Sequence, residues 1–257
     1  MKKWVISSFL LVIVIGMLAA CGTAEKSNGS SSGSGEKKIL KMATSADFPP
    51  FESYDAEGNF EGFDIELAHI IADELGYELQ IEDMQFDGLI GALQSGRVDM
   101  VLSGMSADEK RKENVDFSME YHRSGEMFIS QPDAGIDKID DLQGKVVGVQ
   151  LGTIQEEGAD ELSEQYGFEV KKVDNATILI QELVSGRIDV AYMDKTVATG
   201  YIKAQGFVGF DDPTTSSPGM GIAFPKGSEL VDDVNKVLEE LKANGKIAEL
   251  EEKWIKE

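Results

Sequence analysis

The sequence predicts an α/β protein made of two similar units that face each other across a shared cleft. The phrase SGRVDM at 95–100 returns as SGRIDV at 185–190, and each copy follows a short amphipathic stretch and precedes a brief apolar, β-branched run. Each half also opens with a strand-like segment, KKILKMAT in the first and GKVVGVQ in the second, followed by a turn bearing Gly, Ser or Thr. The phrase alone is also what chance reuse of a common helix-to-strand joint would give. The strands around it decide for two units built alike.

In chain order, residues 1–20 stand apart. Lys2 and Lys3, the apolar run WVISSFLLVIVIGM and the small residues of LAAC have the three-part layout of an export signal. A retained membrane anchor is the alternative, since the run approaches the roughly 20 residues of a bilayer span; LAAC weighs against it. That motif resembles the lipobox of bacterial lipoproteins, in which cleavage falls before a cysteine that is diacylated. Here it would be Cys21, the only cysteine of the chain, so no disulfide framework is possible and a lipidated Cys21 leaves no thiol for catalysis. Residues 21–38 are poor in apolar side chains and rich in Ser and Gly, and read as a flexible tether. Their NGS at 28–30 is a glycosylation pattern that the composition alone explains. Folded structure is expected from Ile39.

The chain has 257 residues, 42% of them hydrophobic, enough for one large or two small cores. Its 47 acidic against 24 basic side chains give a net charge of −23, which speaks against nucleic acid as a partner. The acidity reads as a solvated surface held off an anionic membrane.

The first long helix is expected over 62–76, with Phe63, Leu67, Ile70, Ile71 and Leu75 on one core-facing stripe. Leu89, Ile90 and Leu93 before the first phrase, and Ile178, Leu179 and Leu183 before the second, have helical spacing. Gly96 and Gly186 then stand where a helix needs a left-handed residue to stop. The runs after them, VDMVLSG and IDVAYMD, have the length and composition of buried strands. In open α/β sheets a ligand sits beyond the carboxyl ends of the strands. Those ends would carry Ser45, Phe48, Ser103, Gly104 and Ser106 from the first unit, and Gly152, Thr153 and Asp194 from the second.

The stretches ATSADFPPFE, GFDIELAHIIADELG, FDGLIGALQSGRVDMVLSGM, KRKENVDFS, VVGVQLGTIQE and GIAFPKGS, in this order, resemble the amino-acid-binding proteins of ABC importers. The resemblance runs from about Ile39 to Trp254 and implies the type II periplasmic-binding-protein fold. Each lobe would be a mixed sheet flanked by helices, the lobes joined by two hinge strands. It implies lobe 1 over 39–121 and 222–257, lobe 2 over 126–217, and crossings near 121–125 and 218–222. It also implies the work: capture of a free, polar L-amino acid by hinge closure of a monomer outside the cytoplasm, lipid-anchored to the membrane through Cys21, and delivery to the permease subunits of an ABC importer.

A free amino acid brings one carboxylate and one ammonium, and both need partners when water is excluded. By the resemblance, Arg111 clamps the α-carboxylate, a task for which its planar fork is suited, with Ser106 and the region of Gly104 as further donors. Lys110 and Lys112 face solvent. Asp194 holds the α-ammonium, or caps the helix that follows, or does both; Ser103 shares the ammonium. Phe48 and Phe86 sandwich the ligand or belong to the core. Thr153 and Gln155 donate from a helix N-terminus in lobe 2, and Gln150 touches the side chain. Several relatives that bind glutamine or basic amino acids carry an aspartate where this chain has Ser45. Asp47 and Glu52, the nearby carboxylates, are expected at the cleft mouth or on the surface, so the preferred side chain stays open.

The same fold resembles the cyclohexadienyl dehydratases, which need a general acid in the cleft. Glu156 and Glu157 are the acids in range, and as first-turn residues they also complement a helix dipole. A sensory binding module is the other alternative. No metal or cofactor is expected: His69 falls in a helix, His122 at the hinge, and DAEGN at 55–59 is too short for a calcium loop.

Overall fold

The computed structural model describes residues 37–255, so the expected signal peptide, Cys21 and most of the tether lie outside the described residues. Strand β1 (Lys38–Thr44) starts one position before the expected Ile39, and Lys37 is already tied to Asp73 at 3.2 Å. The small hairpin β2 (Ser53–Tyr54) and β3 (Phe60–Glu61) leads into α1 (Phe63–Glu74), β4 (Tyr77–Asp83), α2 (Leu89–Gln94) and β5 (Met100–Val101). The short α3 (Glu109–Lys112) and β6 (Val115–Phe117) close the first unit. The chain then enters the second unit through β7 (Glu126–Ser130), followed by β8 (Val146–Gln150), α4 (Ile154–Tyr166), β9 (Glu169–Val173) and α5 (Ala176–Val184). That unit ends with β10 (Val190–Asp194), α6 (Lys195–Gln205) and β11 (Val208–Asp211). Strand β12 (Ala223–Pro225) returns to the first sheet, and α7 (Leu230–Ala243) and α8 (Lys246–Trp254) finish the described chain.

Two five-stranded sheets result, ordered β4-β1-β5-β12-β6 and β11-β7-β10-β8-β9. Both are mixed, and for one reason. Within each, three strands linked through helices run parallel, as crossover connections require. The antiparallel strand inserted beside them is the one that arrives from the other lobe, β12 in the first sheet and β7 in the second. Where the chain passes between lobes, the two crossings lie side by side: Tyr121 N–H donates to Met220 O at 3.0 Å and Met220 N–H to His122 O at 2.8 Å.

The cores follow from period-two burial. Leu40 and Met42 face α1, where Phe63, Leu67 and Ile71 share a cluster with Val234, Leu238 and Leu250 of the terminal helices. Ala43 and Val101 face the other way, onto Leu89 and Leu93 of α2. In the second sheet Val147 and Val149 pack with Ala159 and Leu162 of α4. Gly148, between them, lies against α5, and a Cβ there would stand 2.7 Å from Leu179 and 2.5 Å from Ile188.

The repeated phrase builds the same joint twice. At the end of α2, Gly96 N–H donates to Leu93 O and Arg97 N–H to Ala92 O, both at 3.0 Å; after α5, Gly186 and Arg187 bond Leu183 and Glu182 in the same pattern. Both glycines have φ 68°, the left-handed value that closes a Schellman motif. The aspartate of the phrase adds what periodicity did not reveal. Asp99 donates its N–H to Lys41 O and accepts from Lys41 N–H, each at 2.8 Å, and Asp189 does the same with Val146 at 2.9 and 2.8 Å. Each copy therefore stops a helix and pins the next strand beside the first of the parallel strands in its own sheet, β1 or β8.

A Cβ on Gly186 meets nothing within 4 Å, so only its backbone conformation opposes substitution. Gly186→Ala is expected to lower stability by about 1 kcal/mol, read as a shifted urea midpoint with an unchanged slope; no shift would mean that the joint relaxes freely.

Candidate ligand-binding site

The carboxyl ends of β1, β5, β8 and β10 converge on a cavity between the two sheets. Ser45, Phe48, Gly104, Ser106 and Arg111 line it from the first lobe, with Phe86 from a short 3-10 turn after β4. Gln150, Thr153, Gln155 and Asp194 line it from the second. Ser103 is the exception among the expected residues. It is buried behind the wall, where its Oγ accepts from Ser45 N–H and donates to Glu52 Oε1, both at 3.0 Å.

Arg111 is buried, and three of the five N–H donors of its guanidinium face partners in the protein. Its Nη1 donates to Ser106 O at 2.8 Å, its Nη2 to Gly152 O of the opposite lobe at 2.9 Å, and its Nε lies 3.2 Å from Asp108. The Phe86 ring lies 5.4 Å from the guanidinium carbon, so Phe86 supports the arginine as a cation–π partner. Burial depresses the Arg111 pKa, opposed by the Asp108, Glu157 and Glu126 carboxylates. Lys110 and Lys112 point to solvent and pair with Glu157 and Glu109.

In the second lobe Thr153 caps α4, accepting from Glu156 N–H at 3.1 Å, which turns that helix's N-terminus toward the cavity. Asp194 caps α6 through Oδ1, which accepts from Thr196 N–H at 2.8 Å and Val197 N–H at 3.2 Å. Burial pushes its pKa up to about 6, against the lowering pull of Ser124, those amides and His122. The cap and a place in the cavity wall thus coexist in one carboxylate.

Two expectations are corrected. The Gly104 N–H is committed to Asp64 at 2.8 Å, so this amide is engaged inside the wall; the glycine sits beneath Phe48, where a Cβ would come within 3.2 Å of the ring. Glu52 and Asp47, expected at the mouth or surface, both line the cavity. Glu52 is fully buried because Phe48 and Glu52 close a tight loop over Pro49 and Pro50: Phe48 N–H donates to Glu52 O at 2.9 Å. Burial, with Asp64 beside it, raises the Glu52 pKa well above the usual carboxylate range. Asp64 is itself pushed to about 6 by burial, although Gly104 and Tyr121 donate to it. The FPPFE spacing contained the signal, a bracket of prolines that folds the glutamate inward. Ile154 completes the wall. Among the described residues no group of three or more His, Cys, Asp or Glu could hold a metal ion.

Residues 40–257 match the family described as bacterial extracellular solute-binding proteins, family 3. The chain belongs to this family. Among relatives of this solute-binding family, the arginine-binding extracellular protein ArtP of Bacillus subtilis (strain 168) is 46% identical over 99% of this chain and 98% of its own length. A solved ancestral arginine-binding protein bound to arginine superposes with TM-score 0.80 at 41% identity, over 86% of this chain and 100% of the other. The ancestral amino acid-binding protein AncCDT-1, a precursor of cyclohexadienyl dehydratase, superposes with TM-score 0.80 at 38% identity, over 85% and 96%. Both lobes of this solute-binding protein thus have solved counterparts, and the mixed α/β two-lobed fold is that of the family.

Across the cleft, Asp47 Oδ2 accepts from Ala176 N–H at 2.5 Å, at the N-terminus of α5, while its Oδ1 accepts from Ser45 Oγ at 2.8 Å. A first-lobe carboxylate therefore meets the positive end of a second-lobe helix, which favours the closed arrangement. Asp47→Ala is expected to weaken ligand binding about fivefold, chiefly through faster release. Stopped-flow dissociation checks this, and an unchanged off-rate would remove Asp47 from closure.

Proposed function

We propose that this solute-binding protein captures a free L-amino acid with a cationic side chain, arginine foremost, outside the cytoplasm and hands it to an ABC importer. The observation that carries the reading is the pairing inside one cavity of a buried guanidinium, Arg111, with buried carboxyls, Asp194 and Glu52. Arg111 and the N-terminus of α4 take the α-carboxylate, and Asp194 the α-ammonium. The cationic end of the side chain lies toward Glu52 and Asp47, over the Phe48 ring. These acids do the work of the aspartate that Ser45 replaces. The names of the relatives support the same ligand class, as two of the proteins above are arginine-binding.

Lobe 1 (39–121 with 222–257) and lobe 2 (126–217) turn about the paired crossings, and one zwitterion satisfies Arg111 and Asp194 together only when they approach. The lipobox-like LAAC supports a signal peptide over 1–20 and a lipid anchor on Cys21, with 21–38 as the tether of a monomer. A binding role without catalysis is supported by the fate of the acids a dehydratase would need. Glu156 accepts from Gly152 N–H at 2.7 Å and pairs with Lys172, and Glu157 pairs with Lys110.

Calorimetric titration with the L-amino acids, after unfolding and refolding to strip carried ligand, tests the reading. Arginine is expected to bind most tightly, and Arg111→Ala to weaken it roughly a hundredfold by losing two charge-assisted hydrogen bonds. Silence across the panel, or turnover of prephenate or arogenate, would overturn it.

A further inference from the structure

The second lobe buries an acid that the scheme above does not use. Glu126 is the first residue of β7, directly after the hinge, and is 5% exposed. Its Oε2 accepts from the side-chain amide of Gln155, a cavity-lining residue, and its Oε1 is buried without a hydrogen-bond partner. In the β7–β10 register Glu126 stands directly opposite Asp194. Two carboxyls on neighbouring strands in a buried site cannot both hold their charge cheaply.

The groups around Glu126 are few and can be named by element. They are Gln155 from α4, Asp194 and Tyr192 from β10, Asp212 after β11, Ser217 from the return crossing and Arg111 from the first lobe. Asp212 is engaged by the Tyr192 hydroxyl at 2.5 Å and by Thr214. The Arg111 guanidinium is held by carbonyls and Asp108. Nothing in this set neutralises Glu126 directly. Burial, with the Asp194 charge adding, pushes its pKa up to about 8.

Resting on the reading that the ligand brings an ammonium to Asp194, we infer that Glu126 is a positioning residue that fixes Gln155 in the cavity wall and gives up its proton when the ligand's positive charge arrives. Before binding, the protonated carboxyl holds the Gln155 amide and leaves Asp194 as the ionised partner. An entering ammonium places a positive charge between the lobes, which lowers the proton affinity of every acid facing it. The proton leaves Glu126 for solvent, its oxygens stay as acceptors for Gln155, and the vacated charge attracts the ligand. Ligand binding then favours the form with fewer protons, so affinity rises as pH climbs toward about 8.

Calorimetry of arginine binding to the full-length protein near pH 7, in buffers of different ionisation enthalpy, counts the protons released. The wild-type protein is expected to release a proton fraction that Glu126→Gln lowers by about one half, and the variant's affinity is expected to lose most of its rise with pH. Any release that persists then belongs to the other buried acids, Asp194, Glu52 and Asp64. Glu126→Leu, which cannot accept from Gln155, is expected to bind about tenfold more weakly, with Glu126→Gln recovering most of that loss at pH 6. A proton count unchanged in Glu126→Gln, or wild-type affinity in Glu126→Leu, would overturn the inference while leaving the receptor reading intact. Failure of the wild-type protein to bind any amino acid would overturn both.

Discussion

The structure is organised around one buried positive charge. Arg111 is buried, and a guanidinium there costs several kcal/mol unless acceptors meet it. It finds a carbonyl in its own lobe, Ser106, a carbonyl in the other, Gly152, and a carboxylate on its own short helix, Asp108. The second of these contacts exists only with the lobes together. The need to satisfy one side chain thus ties the local fold of the first lobe to the relative position of the second.

Around that charge the molecule gathers an excess of acid. Glu52, Asp64, Glu126 and Asp194 are all buried near the cleft, and burial raises the pKa of each. Burial makes ionising these acids costly, a cost that a positive charge in the cavity offsets and a negative one increases. The same logic explains why several acids serve the architecture as well. Asp194 caps a helix and Asp64 ties the Gly104 loop to Tyr121, so an acidic ligand site is built from groups that the fold also needs. The crossing at His122 lies against the same cluster, since His122 acts on Asp64 and Asp194, while its Nδ1 lies 2.9 Å from Glu251.

The repeated SGRxD phrase unites sequence, fold and site. Its glycine ends a helix, its aspartate clips the following strand beside the first parallel strand of the sheet, and that strand carries a loop or an acid to the cleft. Using the joint in both lobes gives two opposed sets of strand ends at similar depth. The strand inserted from the other lobe then joins each sheet to the paired crossings.

By itself the sequence determined everything that depends on neighbours along the chain. The two alike units, the helix stops at Gly96 and Gly186, and the strand ends that carry Ser45, Ser106, Thr153 and Asp194 were legible because periodicity and turn chemistry are local properties, while Arg111 came forward only through the resemblance of its stretch to a family. What only the tertiary structure decided is which side chains meet across the cleft and how much water they keep. Glu52 looked like a surface acid because the proline turn that brings it back to Phe48 is local, whereas what covers its carboxyl, Ser103 among it, arrives from distant parts of the chain. Ser103 looked like a cavity residue because alternation along a short strand cannot tell the wall from what stands behind it. Glu126 gave no signal, since its significance comes from Asp194 on the neighbouring strand and Gln155 on a helix, and burial of charge is a property of the assembled fold.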